Sequence, residues 1–194
     1  MVVSKEKCKG LDDREIIRKS LEELDYFSCL YQRYEAQLLR YIRRITRVPE
    51  AEAEDILQDA FISIWKNLHG FDPGLKLSSW IYRIVHNQAV SHWRKQTAYG
   101  KKPDLEWDEQ RYAGIPDPPP PAETAVDEET LFSLLDRLPL NYKEVLVLKF
   151  LEHMSYAEIS DVLKIPEGTV AARINRAKKA LSGMAAGLSV FAES

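Results

Sequence analysis

The sequence has little of what would mark a membrane protein, a secreted disulfide scaffold, a metal centre or a phosphate-loop enzyme. No run of about 18 apolar residues occurs, so no membrane span is expected. The N-terminal stretch MVVSKEKCKGLDDREIIRKS has no long apolar core ahead of a small-residue cleavage site. That argues against a signal peptide and places the chain, as an expectation, in the cytoplasm. There are only two cysteines, Cys8 and Cys29, and their spacing fits no metal site. In a reducing cytosol the expectation is two free thiols, not a bridge. The four histidines, His69, His86, His92 and His153, are scattered and suggest no ligand cluster. No Gly-rich phosphate loop, no HExxH and no His/Cys/carboxylate cluster is present, so a hydrolase or transferase has little support and no cofactor or metal is expected. Strand-like alternation of any length is missing, as is any internal repeat.

What is present is ordinary globular material. The chain has 194 residues, 45% hydrophobic and 29% charged, enough for one or two domains with a modest core. Net charge is −3, but the total hides segregation. Residues 103–130 carry nine acidic side chains and one basic one, Arg111, and so hold −8; the remainder holds +5. A basic remainder hints at a polyanionic partner. The same segment, PDLEWDEQRYAGIPDPPPPAETAVDEET, contains six of the ten prolines. Acidity and proline together read as a semi-rigid solvated linker, with a long surface loop inside one domain as the alternative.

Both flanks show helical periodicity. In DYFSCLYQRYEAQLLRYIRRIT the apolar residues recur at Phe27, Leu30, Tyr31, Tyr34, Leu38, Tyr41, Ile42 and Ile45. RVPEAEAEDILQDAFISIWKNLHGF has Pro49 near its first turn, acidic residues behind it, and an apolar stripe from Ile56 to Leu68. SSWIYRIVHNQAVSHWRKQ continues the period, with Ser78 and Ser79 as capping candidates. After the linker, helices are predicted over about 127–138, 141–152, 156–163 and 166–184, the third opened by the S-x-x-E box of Ser155 and Glu158. The predicted architecture is all-α: a domain over 1–102, the linker over 103–130 and a helix-turn-helix domain over 131–194.

Three stretches could carry function. SYAEISDVLKIPEGTVAARINRAKKAL is a short helix, a tight connection and a longer basic helix. Ala157, Ile159, Val162 and Leu163 are expected inside, with Ile165 and Val170 filling the angle. A basic helix alone reads equally as a solvated surface. With the preceding helix and turn it reads as a helix-turn-helix, whose second helix enters the major groove. SSWIYRIVHNQAVSHWRKQTAYGKK carries +5 with no carboxylate, and interleaves Trp80, Tyr82, His86, His92, Trp93 and Tyr99. Cations tracking phosphates beside aromatic stacking faces suit single-stranded DNA, although several of these rings, Tyr82 among them, also suit a core. EAEAEDILQDAFISIW presents Asp55, Gln58 and Asp59 on a polar face, either solvated or meeting a basic protein.

In combination and order these blocks resemble an alternative sigma factor of bacterial RNA polymerase, of the extracytoplasmic function group, from about Leu11 to Leu181. The resemblance implies a promoter-specificity subunit and no enzyme of its own. Its partners would be core RNA polymerase, through the clamp coiled coil and the flap, promoter DNA in duplex and single-stranded form, and an anti-sigma protein where one exists. Asp55, Gln58 and Asp59 match the clamp-docking positions. The loop Phe71–Ser78 and Asn87 match the elements that capture a flipped minus-ten base, and Lys76, Trp80, Arg83, Arg94 and Lys95 belong to that surface. Thr169, Ala171, Ala172, Arg173, Arg176 and Lys179 fall on the minus-thirty-five helix. Ala171 and Ala172 stand where the family commonly has a basic residue and a serine; alanine can touch a thymine methyl but donates no hydrogen bond. The linker would thread polymerase's nucleic-acid channels, either mimicking nucleic acid or acting as a tether. The competing reading is a free-standing helix-turn-helix regulator that binds duplex DNA without polymerase.

Overall fold

The structure, a computed structural model, describes residues 5–99 and 128–192. Every regular element among them is helical. The first unit holds α1 (Lys5–Lys9), α2 (Asp13–Glu22), α3 (Phe27–Thr46), α4 (Glu50–Asn67) and α5 (Leu77–Tyr99). The second holds α6 (Glu128–Leu135), α7 (Leu140–Leu146), residues 156–160 of α8 (Tyr156–Leu163) and α9 (Glu167–Ala192). The linker expected over 103–130 lies almost wholly outside the described residues.

In the first unit α3, α4 and α5 pack against one another. Their apolar stripes meet as a core of Leu30, Leu38, Tyr41, Ile42, Ile56, Leu57, Ile64, Ile81 and Val85, all fully or nearly fully buried. Burying one such aliphatic side chain contributes about 1.5–3 kcal/mol, so these three helices hold one another far more than propensity holds any of them. Polar side chains set the register. Tyr41 Oη and His86 Nδ1 lie 2.8 Å apart, joining α3 to α5. Gln88 Nε2 donates to Ser63 Oγ at 3.0 Å, and His92 pairs with Glu52; both join α5 to α4. At the other end, Phe27 and Tyr31 of α3 pack edge-on and tilted against Phe61, and Phe27 against Trp65, both of α4.

The turns follow from local chemistry. Arg47 takes a left-handed conformation (φ 60°) that ends α3, and Pro49 then enters α4, where its missing N–H costs nothing. The α4 start is as expected. Ser78 and Ser79 are not caps: α5 already begins at Leu77, so both serines sit inside its first turn. Ahead of α3, Asp12 and Glu15 form a full capping box that starts α2, a helix additional to those expected from the sequence.

In the second unit α9 packs on α7 and on α6. The helix expected over 141–152 is not uniform. After α7, Val147–Leu151 forms a π-helical turn, closed by Glu152 N–H donating to the Val147 carbonyl at 3.0 Å. The helix predicted over 166–184 runs on to Ala192.

Cys8 and Cys29 form a disulfide, with their Cα atoms 5.2 Å apart, so the expectation of two free thiols is corrected. Sequence spacing could not show this pairing. Folding lays α1 along α3, and that brings two cysteines 21 residues apart into bridging distance.

Candidate nucleic-acid and polymerase interface

Three surfaces carry the residues singled out in the sequence. On α4, Asp55, Gln58 and Asp59 are all exposed on one face, and the stripe behind them is buried. The next position on that face, Ile62, is 50% exposed. An aliphatic side chain left in water at the end of a polar row was not singled out from the sequence. Its signal there was its spacing of i+7 from Asp55, on the polar side of the stripe.

The second surface is the α4–α5 connection and the outer face of α5. After a 3-10 turn (Leu68–Gly70), Phe71 N–H donates to the Leu68 carbonyl at 3.2 Å. Asp72 then shapes the loop: its Oδ1 accepts from Gly74 N–H at 2.8 Å, and its carbonyl from Leu75 N–H at 3.0 Å. The Asp72 side chain thereby closes a turn on its own backbone. Phe71 is half-buried and meets Trp80 edge-on, ring centroids 5.1 Å apart. Lys76 is exposed, Ser78 half-buried. Along α5, Arg83, Asn87, Arg94 and Lys95 line one side at spacings of four, seven and one. Asn87, Arg94 and Lys95 are exposed, and Arg83 is half-buried.

The aromatic expectation is corrected for Trp80 and His86, while Tyr82 takes the core place also read for it. Trp80 is only 7% exposed, and Tyr82 and His86 are equally buried against Tyr41. None of these three presents a stacking face to an unpaired base. Trp80 acts from below, as the platform on which Phe71 rests. The reason is the helical period: Trp80, Ile81 and Tyr82 are consecutive and span a wide arc of α5, so Tyr82 meets Tyr41 of α3 while Trp80 is covered from the loop by Phe71.

The third surface is the helix-turn-helix. Ser155 Oγ accepts from Glu158 N–H at 3.2 Å, and Glu158 reaches back to Ser155 N–H at 2.8 Å, completing the expected capping box. Lys164 ends α8 in a left-handed conformation (φ 55°), and Ser160 Oγ donates to the Ile165 carbonyl across the turn at 2.7 Å. Pro166 accepts from Thr169 and Val170 N–H and so starts α9. Ile159, Val162 and Val170 are buried as expected; Leu163 and Ile165 are half-buried, and Ala157 is exposed, which corrects its assignment to the interior.

On α9 the buried stripe is Val170, Ile174, Ala177 and Ala180. Thr169, Ala172, Arg173, Arg176 and Lys179 follow helical spacing on another face, with Ala171 half-buried beside them. Arg173 Nη1 lies 3.3 Å from Glu144 Oε1 of α7, with side chains 26% and 11% exposed. Glu144 was missed in the sequence. Nothing local to VLKF or its neighbours signals a carboxylate that meets an arginine 29 residues later. Gly168, in the first turn of α9, has nothing within 4 Å of where a Cβ would stand, so packing alone does not require glycine there.

Among the described residues no helix is long and apolar enough to cross a membrane, and no group of His, Cys, Asp and Glu could hold a metal ion.

The arrangement is that of an all-α protein with a terminal helix-turn-helix. Residues 30–99 match the family model Sigma-70 region 2, and residues 128–181 match Sigma-70, region 4. The ECF RNA polymerase sigma factor SigW of Bacillus subtilis (strain 168) is 38% identical over 143 residues, 67% of this chain and 73% of that protein. The RNA polymerase sigma-H factor of Pseudomonas aeruginosa is 31% identical over 166 residues, 80% of this chain and 83% of that protein. The solved structure of CnrH in complex with the cytosolic domain of CnrY superposes with a TM-score of 0.67 at 25% identity, covering 90% of this chain and 97% of that one. The chain therefore belongs to the sigma-70 family of RNA polymerase sigma factors, in the extracytoplasmic function group. It is an alternative sigma factor, a DNA-binding specificity subunit.

Proposed function

We propose that this chain works in the cytoplasm, has no catalytic site of its own, and divides promoter recognition between its two units. The domain over 1–102 docks on core polymerase and captures melted minus-ten DNA. The domain over 131–194 reads duplex minus-thirty-five DNA. Residues 103–130 join them as an acidic linker in polymerase's nucleic-acid channels.

The observation that carries this reading is the separation of surfaces in the first unit. Asp55, Gln58 and Asp59 project from α4, whereas Phe71, Lys76, Ser78, Arg83, Asn87, Arg94 and Lys95 follow the loop and α5. The α4 face is acidic and suits a basic surface of the polymerase clamp coiled coil, with Ile62 seated at its edge. The α5 helix itself carries no carboxylate and suits a single strand. A base held out of the stack costs a few kcal/mol, and a rigid pocket offsets that cost. Phe71 on its Trp80 platform supplies a stacking surface for such a base, and the exposed Asn87 amide, seven residues beyond Trp80 on α5, a hydrogen-bonding group.

On α9, Thr169, Arg173, Arg176 and Lys179 face the duplex, and Ala171 and Ala172 offer only methyl contacts. The two arginines accordingly carry more of the contact than they would beside a charged neighbour. CnrH is solved with the cytosolic domain of CnrY, and RpoE of Bartonella quintana with the anti-sigma factor NepR. An anti-sigma protein is the corresponding partner proposed here.

The test is fluorescence anisotropy on the polymerase-bound protein with two DNA forms. Asn87→Ala should weaken capture of a single-stranded minus-ten oligonucleotide and spare minus-thirty-five duplex. Arg176→Ala should do the reverse, by about 1–3 kcal/mol if it reads a base. Equal losses on both forms from both changes would end the division of labour.

A further inference from the structure

The family match begins at residue 30, so α1, α2 and the disulfide precede it, and no role described so far uses them. These elements are strapped onto α3 at two points. One is the Cys8–Cys29 bond. The other is Arg33, one helical turn beyond Cys29. Its guanidinium donates to the Leu11 carbonyl at 2.6 Å, to the Cys8 carbonyl at 3.3 Å and to Asp13 Oδ1 at 2.5 Å. Tyr34 Oη adds a bond to Asp13 Oδ2 at 3.1 Å. Beyond these anchors α2 runs on, burying Ile16, to pack against Leu68–Gly70. That 3-10 turn receives the Phe71 N–H and is the base of the Phe71–Ser78 loop. A physical path thus leads from the disulfide through α2 to the loop.

We propose that Cys8–Cys29 is a redox-sensitive strap: oxidised, it holds α1 and α2 against α3 and so steadies the minus-ten loop; reduced, it lets that support open. The functional half of this rests on the minus-ten reading of the loop. A disulfide in a reducing compartment is characteristically transient and redox-sensing. Its chemistry needs a dithiol reductant of the thioredoxin class. A thiolate of the reductant attacks Cys8 Sγ, and Cys29 leaves as a thiolate and takes up a proton. The second reductant thiol then resolves the mixed disulfide, releasing the Cys8 thiol and leaving the reductant as a disulfide, two electrons poorer. Cys8 is the less deeply buried residue of the pair, 7% exposed against 1%. It sits on a helix of five residues, too short to be stable alone, whose opening admits the reductant.

The experiment uses the full chain, air-oxidised or treated with dithiothreitol. Alkylation and mass spectrometry score the thiols. Hydrogen exchange is read at Phe71 and Leu75, and binding of a minus-ten oligonucleotide is read on polymerase-bound protein. Expected are no alkylatable thiol when oxidised and two when reduced, a several-fold faster exchange at both amides on reduction, and a several-fold loss of oligonucleotide affinity. Cys8→Ser, whose single remaining thiol is alkylatable under both conditions, should match the reduced form in exchange and in oligonucleotide affinity under both. Free thiols in the oxidised sample, or equal exchange at Phe71 and Leu75 in the two forms, would overturn the strap. Altered exchange without oligonucleotide binding by either form would leave the strap standing and remove the minus-ten role of the loop.

Discussion

Arg173 meets two demands at once. It lies on the face of α9 proposed here to meet DNA, and its guanidinium is paired with Glu144. A carboxylate at that distance fixes the direction of the fork and also cancels part of its charge. Glu144→Gln should therefore separate direction from charge. Affinity for any duplex should rise and its salt dependence steepen by about one phosphate contact, while preference among minus-thirty-five sequences falls. Titrations of two duplexes at several salt concentrations read both quantities; unchanged preference would mean that Glu144 does not aim the arginine. On α4 the logic is simpler, because Asp55 and Asp59 are exposed. Exchanging both for lysine should alter stability by no more than about 0.5 kcal/mol per site, yet sharply reduce capture by core polymerase. A thermal melt beside a pull-down checks the pair of expectations.

At the scale of elements, caps and straps decide how firmly each helix is presented. The Ser155–Glu158 box satisfies backbone donors that α8 would otherwise leave open. Ser155→Ala should cost about 1 kcal/mol of stability in the second unit and leave the first unit's melting unchanged. The contact between α2 and α3 gives an alkaline signature. Burial first, and then the Asp13 carboxylate, raise Tyr34 above the ordinary tyrosine value of about 10. The folded state then holds its proton where the unfolded chain has released it. This contribution is complete below about pH 10 and is lost as the pH climbs toward the raised folded value. Tyr34→Phe should remove that slope, as read by denaturant midpoints between neutral and alkaline pH. In the same region, opening the Cys8–Cys29 bond should cost about 3 kcal/mol by loop-closure entropy for a separation of this size.

For the whole molecule the governing fact is charge segregation. A chain of net −3 binds a polyanion because −8 of its charge lies in residues 103–130. Neutralising those carboxylates leaves the apolar cores of both units untouched. Both melting transitions should persist, while promoter-specific initiation drops if the segment occupies a nucleic-acid channel. Unchanged initiation in a reconstituted transcription assay would reduce the segment to a tether.

Periodicity, capping signals and charge were enough for the all-α class, the α3, α4 and α5 stripes, the S-x-x-E start of α8 and the basic face of α9. Each of these depends on residues within a few turns of one another, and local spacing reports such relations directly. Motif order carried the family for the same reason. Folding alone decided what lies far apart in the chain. It turned Trp80 and His86 inward along with Tyr82, because only the neighbouring elements determine which arc of α5 is covered. It set Glu144 beside Arg173 across 29 positions. It brought Cys8 to Cys29 and carried α2 to the base of the Phe71 loop. Contacts of that separation leave no periodic trace, since they are selected by packing of surfaces and not by the repeat of a helix.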